Sequence, residues 1–163
     1  MDNLVELCRE GRLAGIGMGA PLDAVCDAYG EPDDESVSRE PHVLVYGAVE
    51  LSFVDDVLET IALGFGHPLE NLPLPLAGGI PRQWSDMPRD RVVAALAVRG
   101  VELAPYPHPA DGVRDYRTLT VRGDIVNVTF DGDDLFGVAC ARGDLTRPRI
   151  RVMPPPRQLS RDT

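Results

Sequence analysis

The sequence contains no lysine, and all 16 of its basic residues are arginine. A lysine Schiff base, a P-loop lysine and a kinase-type lysine are therefore excluded. The 163 residues include 26 acids, which gives a net charge of -10 and a pI near 4.6. Because affinity for phosphate comes mainly from basic charge, this balance argues against a nucleic-acid partner.

Long apolar runs and paired cysteines are also missing. No apolar run approaches the roughly 20 residues that a membrane-spanning helix needs, and the first six residues lack the features of a secretory signal. We therefore expect a cytoplasmic protein with no membrane partner. Cys8, Cys26 and Cys140 are odd in number and widely spaced, so we expect buried thiols without a disulfide or a cysteine zinc site.

The first half of the chain shows helical periodicity followed by alternation. Helices are predicted over residues 2–9 and from Pro21 to Tyr29, the second with an apolar stripe and a stop at Gly30. Strands are predicted at 43–46, 49–53 and 61–65, with a hairpin turn at Asp55-Asp56. A helix followed by an antiparallel meander is the expected arrangement.

A similar order follows a proline- and glycine-rich stretch. The pattern predicts a helix at 90–99, strands at 116–121, 126–130 and 135–141, and a turn at 131–134. We therefore predict an α+β fold of two helix–antiparallel-meander pseudo-repeats, with helices packed on one face of the sheet or sheets. The expected units are 1–66, a connector at 67–88, a second unit at 89–141, and a basic, partly disordered tail at 142–163.

A family resemblance rests on the segments Gly15–Asp33 and Tyr46–Phe53, which include the helix that ends in Tyr29-Gly30-Glu31-Pro32. This pattern resembles small actinobacterial proteins of the immunity type. The helix-to-sheet unit is also similar to the repeat of the SmpA/BamE and beta-lactamase-inhibitor-protein group. The resemblance implies tandem units that form one concave surface for a partner protein. Export, disulfides and the inhibitor's target are not implied, because the chain lacks the corresponding motifs.

Several motifs admit a chemical interpretation beside a structural one. The glycines at 15, 17 and 19 lack the spacing of a dinucleotide fingerprint, so a turn before a helix is favoured over nucleotide binding. The aspartates at 55–56 and 131–134 have no EF-hand frame, so hairpin turns are favoured over metal ligands. His42, His67 and His108 are scattered. We expect no catalytic residue, no metal and no cofactor.

The acidity is concentrated at one end of the chain. Residues 1–66 carry 14 acids and 3 arginines, whereas residues 142–163 carry 2 acids and 6 arginines. Such asymmetry is typical either of a solvated face or of a surface that attracts a cationic partner. The candidate contacts are acidic residues of the first half and aromatic anchors of the second: Glu31, Asp33, Asp34, Glu35, Glu40, Glu50, Glu59, Trp84, Tyr106 and Tyr116.

Three functional hypotheses follow. The first is a non-catalytic protein-binding module, an intracellular immunity protein that masks the active surface of a bacterial toxin. The second is a small-molecule-binding or enzymatic domain that uses a groove between the repeats, around His108, Tyr116 and Arg117. The third is a structural subunit of a larger assembly.

Overall fold

The structure is a computed structural model that describes residues 3–36, 41–65, 87–106, 116–121 and 126–142, with backbone alone at 116–118. Over this part the chain is mostly β, with 47% strand and 26% helix. The helices are α1 (Asn3–Glu10), α2 (Leu22–Tyr29) and α3 (Arg89–Val98). Each lies within a residue or two of a helix predicted from the apolar periodicity.

Ten strands are present in the described ranges. They are β1 (Arg12–Leu13), β2 (Ile16–Gly17), β3 (Asp34–Ser36), β4 (His42–Tyr46), β5 (Val49–Val54), β6 (Val57–Gly64), β7 (Leu103–Pro105), β8 (Tyr116–Val121), β9 (Val126–Asp131) and β10 (Asp134–Ala141). The predicted strands correspond to β4, β5, β6, β8, β9 and β10. The short strands β1, β2, β3 and β7 were not predicted.

Two-residue turns connect β5 to β6 and β9 to β10. Asp55 and Asp56 both have positive φ, at 51° and 58°, as a type I′ hairpin turn requires. In the β9–β10 turn only Gly132, the first central residue, has positive φ (62°). Both predicted aspartate-rich turns are therefore confirmed as hairpin turns.

Eight strands form one antiparallel sheet in the order β3-β4-β5-β6-β10-β9-β8-β7, and β1 and β2 form a separate hairpin. The centre of the sheet is the pairing of β6 with β10, in which Ala62 lies opposite Ala139. The outermost strands β3 and β7 are three residues long. Short outer strands limit the length of unpaired backbone that the sheet presents.

One face of the sheet belongs to the core. Along β5 the side chains of Val49, Leu51 and Phe53 are buried, whereas the intervening Glu50, Ser52 and Val54 are partly exposed. The buried sheet residues form a single cluster with Leu4 and Leu7 of α1, Val25 of α2, and Val92 and Leu96 of α3. We call this side the inner face and the opposite side the outer face.

The predicted fold class was wrong. The described residues form a mostly β arrangement around one eight-stranded sheet and not an α+β fold of two helix–meander repeats. The prediction missed the four short strands β1, β2, β3 and β7, and it left open whether the two sets of strands share a sheet; they do, because β6 and β10 pair directly although their paired residues are 73 to 81 positions apart. Local periodicity identifies strands but carries no information about which distant strands share a sheet.

Two further expectations were corrected. The glycine-rich segment before α2 is not simply a loop, because Leu13 pairs with Ile16 in the β1–β2 hairpin around Ala14-Gly15. The acidic connector after α2 contains β3, which pairs with β4 through Glu35 and Leu44. The predicted connector at 67–88 and the basic tail lie almost entirely outside the described residues, so those domain boundaries stay predictions.

Candidate functional site: the acidic edge and the outer face of the sheet

Charge is distributed unequally between the two halves of the sheet. The described residues up to Phe65, which supply β3 to β6, include 12 acids and 2 arginines. The described residues from Met87 onward, which supply β7 to β10, include 5 acids and 5 arginines. The sheet itself keeps part of this asymmetry, since the described residues of β3 to β6 and their turns include six acids and no arginine, whereas those of β7 to β10 and their turns include three acids and one arginine.

Four exposed carboxylates lie where α2 ends and β3 begins, and we call them the acidic edge: Glu31, Asp33, Asp34 and Glu35. The Asp33 carboxylate accepts a hydrogen bond from the Gly47 backbone N–H at 2.6 Å. Asp34 accepts one from the Glu35 N–H at 2.9 Å. The first bond joins the edge to the β4–β5 turn, and the second is local to Asp34 and Glu35.

Glu35 has a titratable partner on the neighbouring strand. Its Oε1 lies 2.8 Å from Nε2 of His42, and the His42 ring lies 6.1 Å from the Phe53 ring. The charge of Glu35 is thus compensated only when His42 is protonated. Glu31 and Asp34 form no ion pair with any described residue.

A single register row joins the acidic edge to the outer face. Cα pairing connects one residue from each of the eight strands in the order Asp34, Val45, Glu50, Ala62, Ala139, Asn127, Thr120 and Ala104. Residues directly paired in this way present their side chains on the same face. The row therefore places Asp34, Glu50 and Asn127 on the outer face.

Glu50 is a half-buried carboxyl on the outer face, flanked by Val45 and Ala62 on the adjacent strands. No residue in the described ranges forms an ion pair or a hydrogen bond with it. Burial raises the pKa of Glu50 above its ordinary value of 4.5, because desolvation disfavours the charged form. An external cation that contacted Glu50 would restore the interaction that the carboxylate lost on burial.

Asn127 is the buried polar side chain at the other end of the row. It is 9% exposed, and its Oδ1 accepts no hydrogen bond. The hydroxyl of its neighbour Thr120 donates a hydrogen bond to the Val126 carbonyl oxygen, at 2.9 Å. A buried acceptor without a donor costs about 1–3 kcal/mol, so this amide is an unusual feature for a strand to retain.

Between Glu50 and Asn127 the outer face carries very small side chains. Ala62 pairs with Ala139, and two residues along the strands Gly64 pairs with Gly137. We call these four residues the small-residue floor. The partner-strand backbone is close here, since a Cβ added to Gly137 would lie 3.1 Å from the Leu63 carbonyl oxygen.

The sequence-predicted contact residues do not form one patch. Glu50 is on the outer face as expected, and Glu59 pairs with Arg142 at 3.4 Å. Tyr106 follows β7, the outermost strand on the side opposite β3, and the Tyr116 backbone lies in the adjacent β8. The structure therefore does not bring these two tyrosines beside the acidic edge. Glu40 and Trp84 lie outside the described residues.

The described residues show no arrangement of side chains that supports the metal-binding or ligand-groove hypotheses. Among them, no group of three or more His, Cys, Asp or Glu side chains is arranged to hold a metal ion. Cys8 and Cys140 are buried free thiols, and Cys26 is a partly buried one. His108 and the side chains of Tyr116 and Arg117, proposed for a ligand groove, fall outside the description.

Sequence reasoning missed Asn127 and the small-residue floor. Asn127 is the polar residue between Val126 and Val128, and such alternation predicts a side chain that faces solvent. Nothing in the sequence therefore indicated that Asn127 is buried. The alanines and glycines of β6 and β10 are also unremarkable until the pairing of these strands places them together.

Comparisons with family models, with curated proteins and with solved structures gave no match. The resemblance to immunity-type proteins therefore stays a prediction. In the described part of the chain, the helices are too short or too polar to cross a bilayer.

Proposed function

We propose that this chain is a non-catalytic protein-binding module whose acidic edge attracts a cationic protein partner. In its narrower form, the proposal is that the chain acts in the cytoplasm as an immunity protein and occludes the active surface of a cognate bacterial toxin. The observation that carries the proposal is the exposed acidic edge, which lies in the part of the chain up to Phe65, where the described residues include 12 acids and 2 arginines.

The physical support is electrostatic. Exposed like charges that are not locally neutralised produce a field that extends about 8–10 Å at physiological salt. Such a field raises the association rate with an oppositely charged surface. A toxin that acts on nucleic acid must present basic residues to its substrate, so a protein with this edge is complementary to that surface.

The partner to test is the product of the reading frame beside this gene, purified as its C-terminal domain. Association rates with the full chain are measured by stopped-flow fluorescence from about 50 to about 500 mM NaCl. We expect the association rate constant to fall by about tenfold or more over this range, because salt screens the attraction.

A charge variant locates the attraction. Glu31→Gln with Asp34→Asn removes two edge charges that form no ion pair in the described structure. The matched control, Glu102→Gln with Asp134→Asn, removes two exposed charges from the balanced half. We expect slower association only for the edge variant. Equal rates for both variants, or rates independent of salt, would contradict the proposal.

The toxin-specific form has its own test. The neighbouring gene's domain is expressed with and without this chain in a heterologous bacterium. Growth arrest by the domain alone, relieved when the chain is present, is the expected result. Binding without such relief would leave a protein-binding module and eliminate the immunity function.

A further inference from the structure

Strand β3 covers one edge of β4 without contributing an apolar side chain. Its three residues, Asp34–Ser36, are all exposed and are of types that are uncommon in strands. Backbone bonding holds it in place: β3 pairs with β4 in antiparallel register, and just before it the Asp33 N–H donates to the Val45 carbonyl at 2.8 Å. The attachment of so short a strand is therefore sensitive to any side chain that joins it to β4.

The β4–β5 hairpin determines which backbone groups of β4 lie under β3. Tyr46 and Val49 close a two-residue turn, so they form a hydrogen-bonded pair. Because hydrogen-bonded and non-hydrogen-bonded pairs alternate, the N–H groups of Leu44 and Tyr46 point to β5. Those of Val43 and Val45 point to β3. The two sets of amides therefore report separately on the two neighbours of β4.

The side chain of Glu35 connects β3 to β4. Its Oε1 lies 2.8 Å from Nε2 of His42. Both residues are on the inner face, since Glu35 pairs with the buried Leu44 and His42 pairs with the buried Phe53. The His42 side chain is 20% exposed and the Glu35 side chain 46%. The imidazole is thus largely covered, which limits the screening of the pair by solvent.

We infer that protonation of His42 stabilises the pairing of β3 with β4, so that the edge of β4 becomes more accessible as the pH rises. An imidazole changes its charge between about pH 5 and 8, a range in which an ordinary carboxylate stays ionised. The imidazolium adds charge attraction to the hydrogen bond with Glu35, and the neutral ring does not. The added stability is therefore present at the acid end of this range and is lost as His42 releases its proton.

The other charged groups around His42 have to be separated from this effect. On β5, Phe53 faces the ring and carries no charge, whereas Glu50 lies on the outer face, opposite to His42. The connection between β3 and β4 contains Arg39 and Glu40, which lie outside the described residues. Variants of both therefore belong in the test.

The accessibility of β4 has a physical consequence. Its sequence, His-Val-Leu-Val-Tyr, is rich in β-branched and aromatic residues, and an uncovered edge of this kind can pair with another chain. With β3 in place, the sheet instead presents the carboxylates of Asp34 and Glu35. The inference concerns this cover alone and does not depend on the proposed partner.

Amide hydrogen exchange of the full ¹⁵N-labelled chain tests the inference. Exchange is measured by quenched-flow labelling at pH 5.5 and pH 8 and expressed as protection factors, which remove the pH dependence of the exchange chemistry itself. We expect the protection of Val43 and Val45 to be about two- to fivefold greater at pH 5.5, as for a partly exposed ion pair. The protection of Leu44 and Tyr46, which face β5, should not change.

Variants assign the effect to the pair. Glu35→Gln and His42→Gln should each remove the pH dependence at the amides that face β3, because neither variant can form the ion pair. Since Glu35 is exposed, its variant is expected to fold and decides the question if His42→Gln does not. The matched control Glu31→Gln, which removes an exposed carboxylate without a described ion pair, should retain the pH dependence, as should Arg39→Gln and Glu40→Gln.

Four results would overturn the inference. They are equal protection at the two pH values, a pH dependence that survives in Glu35→Gln, one that disappears in Arg39→Gln or Glu40→Gln, and an equal change at all four β4 amides. The last result would indicate a change in the stability of the whole sheet. None of these results bears on the salt dependence of association with the natural partner, which tests the proposed function separately.

Discussion

The turn between β5 and β6 makes a quantitative prediction about stability. Asp55 and Asp56 both occupy the left-handed region, with φ of 51° and 58°, where an ordinary L-residue is disfavoured by about 1–2 kcal/mol. We expect Asp56→Gly to stabilise the protein, because glycine adopts this conformation without a steric penalty. The backbone bond from Leu22 N–H to the Asp56 carbonyl, at 2.9 Å, is retained in the variant.

Two opposing contributions set the magnitude. Relief of the left-handed conformation contributes about 1–2 kcal/mol, and the greater freedom of glycine in the unfolded chain removes about 0.5–1 kcal/mol. The net gain should be about 0.5–1 kcal/mol. For a domain of this size, 1 kcal/mol corresponds to about 2–4 °C in Tm, which calorimetry and urea unfolding can both resolve.

Asp133→Gly is a closely matched control. Asp133 is also the second central residue of a two-residue hairpin turn, and its substitution also removes one carboxylate. Among the described residues of that turn only Gly132 has positive φ, so Asp133→Gly relieves no strain. It should destabilise the protein by about 0.5–1 kcal/mol. The exposed Arg89–Asp133 contact, at 3.8 Å, adds little to this loss.

Asp56→Gly also removes a charge from the acidic half, so its gain is measured again at about 0.5 M NaCl, where exposed charges are screened. A gain that disappears in salt would identify charge repulsion as the cause. A loss of stability equal to that of Asp133→Gly would show that the left-handed backbone carries no strain.

Two further predictions concern the outer face and the core. The pKa of Glu50 is higher in the folded than in the unfolded state, so the stability that this group contributes is present below about pH 4.5 and is lost as the pH rises through its folded pKa. Glu50→Gln should therefore be more stable than wild type at neutral pH, with a smaller loss between acid and neutral pH in urea unfolding. Tyr46→Phe removes the bond from the Tyr46 hydroxyl to the Gly30 carbonyl, at 3.0 Å. It should lower the unfolding free energy by about 0.5–1.5 kcal/mol relative to wild type, as measured by urea unfolding.

Periodicity alone was sufficient for the longer elements. In α2 the apolar residues recur at helical spacing and Gly30, with φ of 82°, ends the helix, so the sequence predicts both its length and its stop. In β5 strict alternation predicts which side chains are buried and that Glu50 faces outward. These features depend on neighbouring residues, so local chemistry determines them.

The short strands had no such signal. β1, β2, β3 and β7 are two or three residues long, and β3 consists of Asp-Glu-Ser, residue types that are not typical of strands. Pairing with a longer neighbour holds β3 and β7 in place. Asp34, for example, is opposite Val45 because β4 offers an unpaired edge. Tertiary context therefore overrode local propensity at both ends of the sheet.

The candidate surface also combines features that the sequence determines with features that only the fold determines. By itself, the sequence determined the absence of lysine, the acidity of the first half and the outward direction of Glu50, since these depend on composition and alternation. Only the tertiary structure decided that β6 and β10 are neighbours. That pairing turns two alanines and two glycines into one floor and places Asn127 in the same row as Glu50, because hydrogen bonding between distant strands sets which side chains share a face.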